Sequence, residues 1–359
     1  MTFSFDFLNS FLGGGVLGVD IGTASIKIVE LSKKGDIYHV DNYGILSNFG
    51  HFDRSNDVIQ TSMMRIFDKD AVRLLRLLLD NMGIKKGRVV ASLPTFSAFI
   101  ALIELPDISD QEVAQTIKFQ AKQYVPLPLE EVTLDYIPVG RRIGNDGKAV
   151  RQILLVSVPT EKIKSFKGIF KEAGLDLIAL EVEGLSAVRS LIQNDQTTTL
   201  ILDIGSHSTS ILIAQGGFLK ASSQADYASN HLTHALSKGL NINLSRAEDL
   251  KKQKGLLGTG GEFELSTIMF PFVDVIIKEA IRAKERFEKT YGGRVERVIL
   301  SGAGSNLPGL VKYVEKQINT PTLLANPLLG FSYNKQIESA VLELGPTLTV
   351  ALGLALRGF

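Results

Sequence analysis

Residues 16–31 read VLGVDIGTASIKIVEL, and this stretch decides the fold of the chain. Two β-branched runs flank an acid, a glycine and two small hydroxyls, a pattern typical of a tight strand-turn-strand hairpin. Gly22 lets the backbone approach a ligand, and successive N–H groups in so tight a turn form a concavity for an anion. Because Asp20 would repel phosphate, an acid at this position implies a cation, most simply Mg²⁺ held through water.

The other residues of the turn complete a phosphate site. Thr23 and Ser25, on either side of Ala24, can donate hydroxyl hydrogen bonds, and Lys27 can lie over negative charge as a point cation. An isolated D-x-G hairpin is more often a plain turn. This stretch alone therefore leaves both interpretations open.

A second copy of the hairpin lies half a chain further on. Residues 200–215 read LILDIGSHSTSILIAQ, in which Asp203 and Gly205 match the acid and the glycine of the first copy. The turn continues with Ser206, His207, Ser208 and Thr209. His207 either reaches phosphate or is an exposed turn residue. An internal repeat implies a duplicated domain, and two facing hairpins would clamp a polyphosphate, with Asp20 and Asp203 sharing one metal ion.

A glycine turn near the end of the chain supplies the third element. Residues 298–305, VILSGAGS, read as a strand that runs into Gly302, Ala303, Gly304 and Ser305. Bare backbone at such a turn suits a flat base or a ribose. Each segment is weak alone, but one hairpin per half followed by a glycine turn predicts that all three converge on one triphosphate.

The order of these segments resembles that of the actin, hexokinase and Hsp70 superfamily, in which two phosphate loops and an adenosine loop follow one another. Within it the chain is similar to the PilM family, cytoplasmic actin-like proteins of the type IV pilus assembly platform, and to the related FtsA family. Four further stretches carry the resemblance to PilM: residues 92–113 (SLPTFSAFIALIELPDISDQEV), 121–140 (AKQYVPLPLEEVTLDYIPVG), 320–328 (TPTLLANPL) and 350–357 (VALGLALR).

The resemblance implies an α/β fold of duplicated actin-like, RNase H-like domains, each a mixed sheet flanked by helices. It assigns the first domain, 1A, to residues 16–199 plus 335–359, and the second, 2A, to residues 200–334. It also implies a 1C-type, SHS2-like insertion at about residues 94–170 and a 2B insertion at about residues 226–290.

The expected 1C insertion contains a strong helix signal. Ser109 and Glu112 form a capping-box pattern at the start of a helix that ends at Tyr124. Helical spacing predicts its buried stripe: Val113, Ile117, Ala121 and Tyr124. Two positions depart from the family. Gln120 stands where a glutamate is common, and Asp226-Tyr227-Ala228 replaces the glycine pair after the second hairpin.

Three charged residues outside the turns are further candidates for the nucleotide site. By resemblance, Glu248 and Lys251 align with a Glu and a Lys that contact the ribose, but Ser245 and Glu248 also form a capping-box pattern, so Glu248 is equally expected only to close a helix start. Glu183, at the start of the helix expected to connect the halves, is the candidate for orienting a hydrolytic water. The alternative for Glu183 is a surface acid favoured by the helix dipole.

Composition narrows the function classes. The chain has 359 residues with 45% hydrophobic content, enough for more than one core, and 39 Lys and Arg against 38 Asp and Glu. The net charge of +1 gives no bulk attraction to nucleic acid or to an anionic membrane. With no cysteine, disulfides and thiolate metal sites are excluded. No apolar run is long enough to span a bilayer.

The first 15 residues, MTFSFDFLNSFLGGG, form a leader with an amphipathic pattern. Phe7, Leu8, Phe11 and Leu12 would share one face of a short helix, which three glycines separate from the first strand. A leader that packs on its own domain and one that touches a membrane or a neighbouring protein are both open.

The resemblance to PilM implies a non-metabolic adaptor that binds ATP and Mg²⁺ and hydrolyses ATP slowly or not at all. The expected partner is the N-terminal cytoplasmic tail of the membrane protein PilN, received in a groove between 1A and 1C. The protein would be cytoplasmic and peripheral at the inner membrane, with other platform or motor components and self-association left open. The rival interpretations are an FtsA-like, membrane-associated filament former and a small-molecule kinase, which needs a base near an acceptor hydroxyl.

Overall fold

The computed structural model of the chain describes residues 15–47, 68–144, 147–257 and 263–359, which form three β-sheets and the helices that cover them. The strands are β1 Val16–Ile21, β2 Ser25–Lys34, β3 Ile37–Ser47, β4 Arg88–Leu93, β5 Phe99–Pro106, β6 Val132–Ile143, β7 Ala149–Pro159, β8 Asp176–Val182, β9 Thr199–Ile204, β10 Thr209–Gln215, β11 Phe218–Ala225, β12 Arg297–Ser301, β13 Thr322–Leu324 and β14 Ser332–Tyr333. The helices are α1 Asp68–Asn81, α2 Asp110–Tyr124, α3 Thr160–Glu172, α4 Glu183–Ile192, α5 Ser229–Leu240, α6 Leu244–Lys254, α7 Phe263–Tyr291, α8 Leu310–Ile318 and α9 Val341–Leu356.

The first sheet has its six strands in the order β14-β3-β2-β1-β4-β8. Every residue of β1 is buried, and β1 pairs antiparallel with β2 and parallel with β4. In this register Asp20 lies directly opposite Lys27. Helices α1 and α3 cover one face of the sheet around Leu75 and Phe170. The β-branched pattern of residues 16–31 therefore forms the predicted hairpin, with its turn at the carboxyl end of β1.

The second sheet has five strands in the order β11-β10-β9-β12-β13 and repeats the centre of the first. Strand β9 pairs antiparallel with β10 and parallel with β12, as β1 does with β2 and β4. Asp203 lies opposite Ser210 in this register. Helices α5, α7 and α8 cover one face of this sheet around Phe287. The sequence repeat is thus also a repeat of structure.

Helices α4 and α9 pack on each other between the two sheets. Gly18 of β1 lies so close to α9 that a Cβ would come within 1.9 Å of the Ala351 carbonyl oxygen. Glu181, at the end of β8 and 4% exposed, accepts hydrogen bonds from Arg189 of α4 and from Arg357, just after α9. Close backbone contact and a buried ion pair therefore fix this middle layer against the first sheet.

Between β4 and α3 the chain forms a separate three-stranded sheet in the order β5-β7-β6, with α2 packed on it. The predicted capping box is confirmed, since Ser109 N donates to Glu112 Oε2 at 2.8 Å and Glu112 N donates to Ser109 Oγ at 3.4 Å. The predicted stripe is buried at Val113, Ile117 and Ala121. The prediction for the fourth position is wrong: Tyr124, the last residue of α2, is 42% exposed, and the next residue, Val125, is buried instead.

The amphipathic helix predicted from Phe7, Leu8, Phe11 and Leu12 lies outside the described residues. Within the part of the chain that the structure describes, no helix has both the length and the apolar composition needed to cross a bilayer. The domain boundaries given above stay a prediction.

Candidate functional site

The turns of the two hairpins and the glycine turn border one cavity between the two large sheets. Its volume is about 640 Å³, a size typical of small-molecule sites. The predicted site residues that line it are Asp20, Gly22, Thr23, Ala24, Ser25, Lys27, Glu183, Asp203, Gly205, Ser206, His207, Ser208, Glu248, Lys251, Gly302, Ala303 and Gly304. Segments nearly 300 residues apart thus share a single hollow.

Two predicted residues, Thr209 and Ser305, do not line the cavity. Thr209 is fully buried and donates its hydroxyl to the Tyr227 carbonyl oxygen at 2.8 Å. Ser305 is 2% exposed and donates to the Gly302 carbonyl oxygen at 2.7 Å. Both hydroxyls stabilise their turns by hydrogen bonds to backbone carbonyl groups, and neither side chain borders the cavity that a ligand would occupy.

The first turn holds its acid in an ion pair. The turn closes where Gly22 N donates to the Ser25 carbonyl oxygen at 3.0 Å. Asp20, 4% exposed, accepts hydrogen bonds from Lys27 Nζ and from Ser92 Oγ, each at 2.8 Å. Burial opposes the charge on Lys27, but Asp20, with smaller contributions from Asp203 and Glu183, outweighs burial and raises the pKa of Lys27. Lys27 is therefore anchored to Asp20 while its side chain borders the cavity.

The second turn closes in the same way, but its acid lies in a different environment. Gly205 N donates to the Ser208 carbonyl oxygen at 3.1 Å. The residue opposite Asp203 is the neutral Ser210 instead of a lysine. Burial raises the pKa of Asp203 to about 6, with Asp20 adding to the rise and Lys27 opposing it. An added cation would therefore stabilise the charged form of Asp203.

Glu183, the first residue of α4, borders the same cavity. Its Oε2 accepts hydrogen bonds from Thr95 N at 3.2 Å and from Thr95 Oγ1 at 3.3 Å. Burial, together with the negative charges of Asp20 and Asp203, raises the pKa of Glu183 to about 8. The alternative of a plain surface acid at a helix start is wrong, because this carboxyl group is enclosed near two other acids.

Three carboxyl groups and one ammonium group thus influence one another at this end of the cavity. Asp20 and Asp203 disfavour the charged form of Glu183, and a divalent cation would relieve that repulsion. Among the residues that the structure describes, no group of three His, Cys, Asp or Glu side chains is placed to hold a metal ion directly. That Asp20 and Asp203 would hold Mg²⁺ through water stays a prediction.

The two hairpin turns also contact each other directly. Thr23 Oγ1 lies 3.0 Å from His207 Nδ1, and Asn230 Nδ2 lies 3.3 Å from His207 Nε2. His207 is therefore held between the two turns, and the alternative of an exposed turn residue is wrong. Asn230 N donates to the Ser206 carbonyl oxygen at 2.9 Å, so the start of α5 packs on the second turn despite the unusual residues 226–228.

The glycine turn presses its backbone against the second hairpin. Gly302 has a φ of +79°, and a Cβ here would lie 2.4 Å from the Ile204 carbonyl oxygen and 2.7 Å from Asp203 Oδ1. Only glycine fits this position. Gly302 N donates to the Pro346 carbonyl oxygen at 2.9 Å, which ties the turn to α9. Bare backbone is thereby placed on the cavity wall.

Glu248 does not close the start of α6. Asn243 is the N-cap of that helix, and its side chain accepts from Arg246 N at 2.8 Å, so the capping-box interpretation of Ser245 and Glu248 is wrong. Glu248 is 9% exposed and accepts from Thr233 Oγ1 at 2.6 Å and from Lys251 Nζ at 2.6 Å. Burial works to raise the pKa of Glu248, but Lys251 outweighs it and lowers the value. Contact of this pair with a ribose stays a prediction.

Sequence reasoning missed several residues at the cavity. Pro94 and Phe96 line it; both lie in the stretch 92–113 that carries the family resemblance, but no pattern there marked them as site residues. Ser92, which donates to Asp20, has a counterpart in Ser301, which lies opposite Asp203 and hydrogen-bonds to it. Comparing the two halves strand by strand would have identified this serine pair.

Comparison with known proteins gives a family match over nearly the whole chain. The family model described as type IV pilus assembly protein PilM matches residues 18–359. Among curated proteins, cell division protein FtsA of Bacillus subtilis (strain 168) is 25% identical over 258 residues, covering 67% of this chain and 58% of the relative. The chain thus spans less than two thirds of the length of this relative.

Solved structures share the fold. A structure of a PilM-PilN type IV pilus biogenesis complex matches with a TM-score of 0.80 and 22% identity, over 97% of this chain and 98% of that one. The ethanolamine utilization protein EutJ of Carboxydothermus hydrogenoformans has a TM-score of 0.56 and 18% identity over 97% and 91% of the two chains. MreB5 of Spiroplasma citri, bound to ADP, has a TM-score of 0.55 and 15% identity over 96% and 95%. These likenesses confirm the predicted actin-like fold class.

Proposed function

The chain belongs to the family of type IV pilus assembly protein PilM, and on this premise we propose that it is an ATP-binding adaptor of the inner-membrane assembly platform of the pilus. The observation that carries the proposal is the single cavity of about 640 Å³ bordered by both hairpin turns and the glycine turn. In an actin-like fold with this cavity, one backbone turn from each half would lie against a bound polyphosphate.

Different residues at the cavity would bind different parts of the nucleotide. The turns that begin at Gly22 and Gly205 would hold the phosphates through backbone N–H groups, with Lys27 as the nearby cation. Asp20 and Asp203 would hold Mg²⁺ through water. The turn of residues 302–304 would support the base, and Glu248 with Lys251 would contact the ribose. When bound, Mg²⁺ supplies positive charge between the carboxylates and the phosphates.

Slow hydrolysis or none is the expectation for this site. Glu183 is the candidate for orienting a water molecule, and without a cation its pKa of about 8 keeps it mostly protonated at neutral pH. A cation bound near Asp20 and Asp203 would lower that pKa, so Glu183 could accept a proton from water only with the cation in place. The expectation of slow hydrolysis or none comes from the resemblance to the PilM family. The nucleotide would therefore serve to hold the two halves together and to set their shape.

The proposed partner is the N-terminal cytoplasmic tail of a PilN-like membrane protein. The solved relative with the TM-score of 0.80 is described as a PilM-PilN complex. An extended tail would bind in the groove between the first domain and the insertion built on β5, β6 and β7, by strand addition and apolar pockets. Such a partner would place the protein at the cytoplasmic face of the inner membrane.

The test is a titration of the full chain with Mg·ATP and with a synthetic PilN tail peptide. We expect calorimetry to detect both ligands, and the Asp20→Asn, Asp203→Asn double variant to lose Mg·ATP binding. Asp80→Asn, an exposed acid on α1, is the matched control and should bind as the unmodified protein does. If the double variant bound Mg·ATP unchanged, the assignment of the cavity would be wrong.

A filament former related to FtsA is the second candidate. The FtsA relative shares 25% identity, and β13 is an edge strand whose Leu323 is 53% exposed. Exposed apolar edge strands favour association between copies of a chain. Sedimentation that depends on Mg·ATP would favour this candidate, whereas protein that stays in the supernatant would remove it.

A further inference from the structure

The insertion begins at the wall of the cavity. Strand β4 of the first sheet ends at Leu93, a 3₁₀ turn follows at Thr95–Ser97, and β5 of the insertion starts at Phe99. Pro94 and Phe96 both line the cavity, and Phe96 is 50% exposed. Two residues of the segment that connects the first domain to the insertion, on either side of Thr95, therefore form part of the cavity wall.

Thr95, in the middle of this segment, joins three parts of the molecule. It is 8% exposed, and its backbone N and its Oγ1 both donate to Glu183 Oε2, at 3.2 and 3.3 Å. Ser210 Oγ of β10, in the second sheet, donates to Thr95 Oγ1 at 3.4 Å. One threonine thus connects the carboxyl group at the start of α4, a strand of the second half and the first residues of the insertion.

The insertion has a second buried link to the other half of the molecule. Lys220 of β11 is 5% exposed, and its Nζ donates to the Val139 carbonyl oxygen at 2.5 Å and to Gln152 Oε1 at 2.7 Å. Val139 and Gln152 belong to β6 and β7 of the insertion. Because the insertion is held at Thr95 and at Lys220, movement of the second half relative to the first would reach it at two places.

We propose that Thr95 is the positioning residue through which nucleotide in the cavity and a peptide on the insertion influence each other's binding. The proposal rests on the proposed function, since it needs both ligands. The charges of Asp20, Asp203 and Glu183 influence one another at the cavity, and of these acids Glu183 is the one that contacts the insertion. A change in the position of its carboxyl group is passed to Thr95, because both hydrogen bonds end on one oxygen.

Binding equilibria that share such a link are coupled in both directions. If peptide changes the Kd of Mg·ATP by some factor, Mg·ATP must change the Kd of the peptide by the same factor. Coupling factors of about 5-fold or more are usual for linked sites. Removing only the hydroxyl of Thr95 should reduce this factor while leaving each separate affinity within about 2-fold, because Thr95 does not line the cavity.

The test measures the Kd of Mg·ATP for the full chain with and without saturating PilN tail peptide. Thr95→Val keeps the shape of the side chain but loses the hydroxyl, and we expect its ratio of the two Kd values to move at least 2-fold towards 1, with the links through Thr95 N and Lys220 still in place. Thr95→Ser keeps the hydroxyl and should keep the ratio of the unmodified protein. Thr133→Val is the matched control, since Thr133 Oγ1 lies 3.1 Å from Thr160 Oγ1 within the insertion region and does not contact Glu183.

The outcomes separate the two proposals. Failure of the unmodified protein to bind Mg·ATP or peptide would overturn the proposed function. A ratio of 1 in the unmodified protein, or the same ratio in Thr95→Val, would overturn the role of Thr95 alone. Should Thr95→Val not fold, amide hydrogen exchange on the unmodified protein decides: Mg·ATP should slow exchange in residues 95–106, and unchanged exchange there would contradict the proposal.

Discussion

The two hairpins follow the same backbone path but differ in the residue opposite the acid. In the first hairpin Asp20 faces Lys27, and the two form an ion pair at 2.8 Å. In the second hairpin Asp203 faces Ser210, which is neutral. Each aspartate also has a serine beside it, Ser92 in one half and Ser301 in the other. A single lysine thus serves a pair of acids placed by duplication.

This difference gives the two halves unequal electrostatic roles. The ion pair keeps the first turn close to neutral, whereas burial raises the pKa of Asp203 to about 6. A bound cation should therefore stabilise the charged form of the acid more in the second turn than in the first. The two copies share their backbone geometry, and the residue opposite the acid makes them electrostatically distinct.

The largest effect of a single substitution should come from the packing behind the first hairpin. Gly18 occupies the position in β1 that Ile201 occupies in β9, and a Cβ on Gly18 would lie 1.9 Å from the Ala351 carbonyl oxygen. Because two backbones would have to separate, Gly18→Ala should lower the free energy of unfolding by about 4 kcal/mol. Urea unfolding followed by circular dichroism measures the change.

Gly168→Ala is the control for this comparison. A Cβ at Gly168 of α3 meets nothing within 4 Å, so alanine there should stabilise the helix by about 0.5–1 kcal/mol. If both variants had the same stability, the close approach of β1 and α9 would not be a constraint on the first half.

The next effect tests the pairing itself. Lys27→Met leaves Asp20 buried without its cation, which should cost about 3 kcal/mol. Ser210→Ala, at the corresponding position of the second hairpin, removes one neutral hydroxyl and should cost about 1 kcal/mol or less. Equal losses in urea unfolding would show that the two hairpins are electrostatically equivalent after all.

Local patterns in the sequence predicted the elements of this comparison. The β-branched runs around Asp20 and Asp203 predicted both hairpins, because period and turn residues are local properties. The same holds for the glycine turn at Gly302 and for the capping box of Ser109 and Glu112. Each of these signals lies within about a dozen residues of sequence.

Contacts between distant residues could not be predicted, because the sequence signals are local. Thr95 meets Glu183 across 88 positions of sequence, and no local pattern connects them. The interpretation of Glu248 as part of a capping box is wrong because α6 begins two residues earlier than expected. Asn243 is its N-cap, in place of Ser245. Sequence identified the residue types at the site, whereas their partners depend on how the two halves pack.

A separate effect concerns pH in the absence of ligand. The pKa of Asp203 is raised from 3.8 to about 6 and that of Glu183 from 4.5 to about 8, so between these limits the folded state holds protons that the unfolded state has released. The free energy of unfolding should therefore be highest at about pH 4 and below on this account, and fall by several kcal/mol, on the order of 5, as the pH rises to 8. Urea unfolding at a series of pH values measures the slope.

Two variants assign that slope to the acids. Asp203→Asn should flatten the curve between pH 4 and 6, and Glu183→Gln should flatten it up to pH 8. Both neutral side chains approximate the protonated acid in size. A slope that stays the same in both variants would place the titrating groups elsewhere in the chain.

The smallest expected effect is the difference in the free energy of unfolding between the Ser92→Ala and Ser301→Ala variants. Ser92 Oγ donates to Asp20 Oδ1 at 2.8 Å, whereas the proton of Ser301 Oγ is shared between Asp203 and the Pro346 carbonyl oxygen, 3.3 Å away. Ser92→Ala should therefore cost about 1.5 kcal/mol, and Ser301→Ala about half of that. Because Ser92 and Lys27 bind the same carboxylate, the Lys27→Met, Ser92→Ala double variant should depart from additivity. Ser301→Ala combined with Lys27→Met should depart less, because Lys27 acts on Asp203 through charge and does not bind it. Additivity in both pairs would mean that Asp20 does not couple its two donors, and the asymmetry of the hairpins would then lie in charge alone.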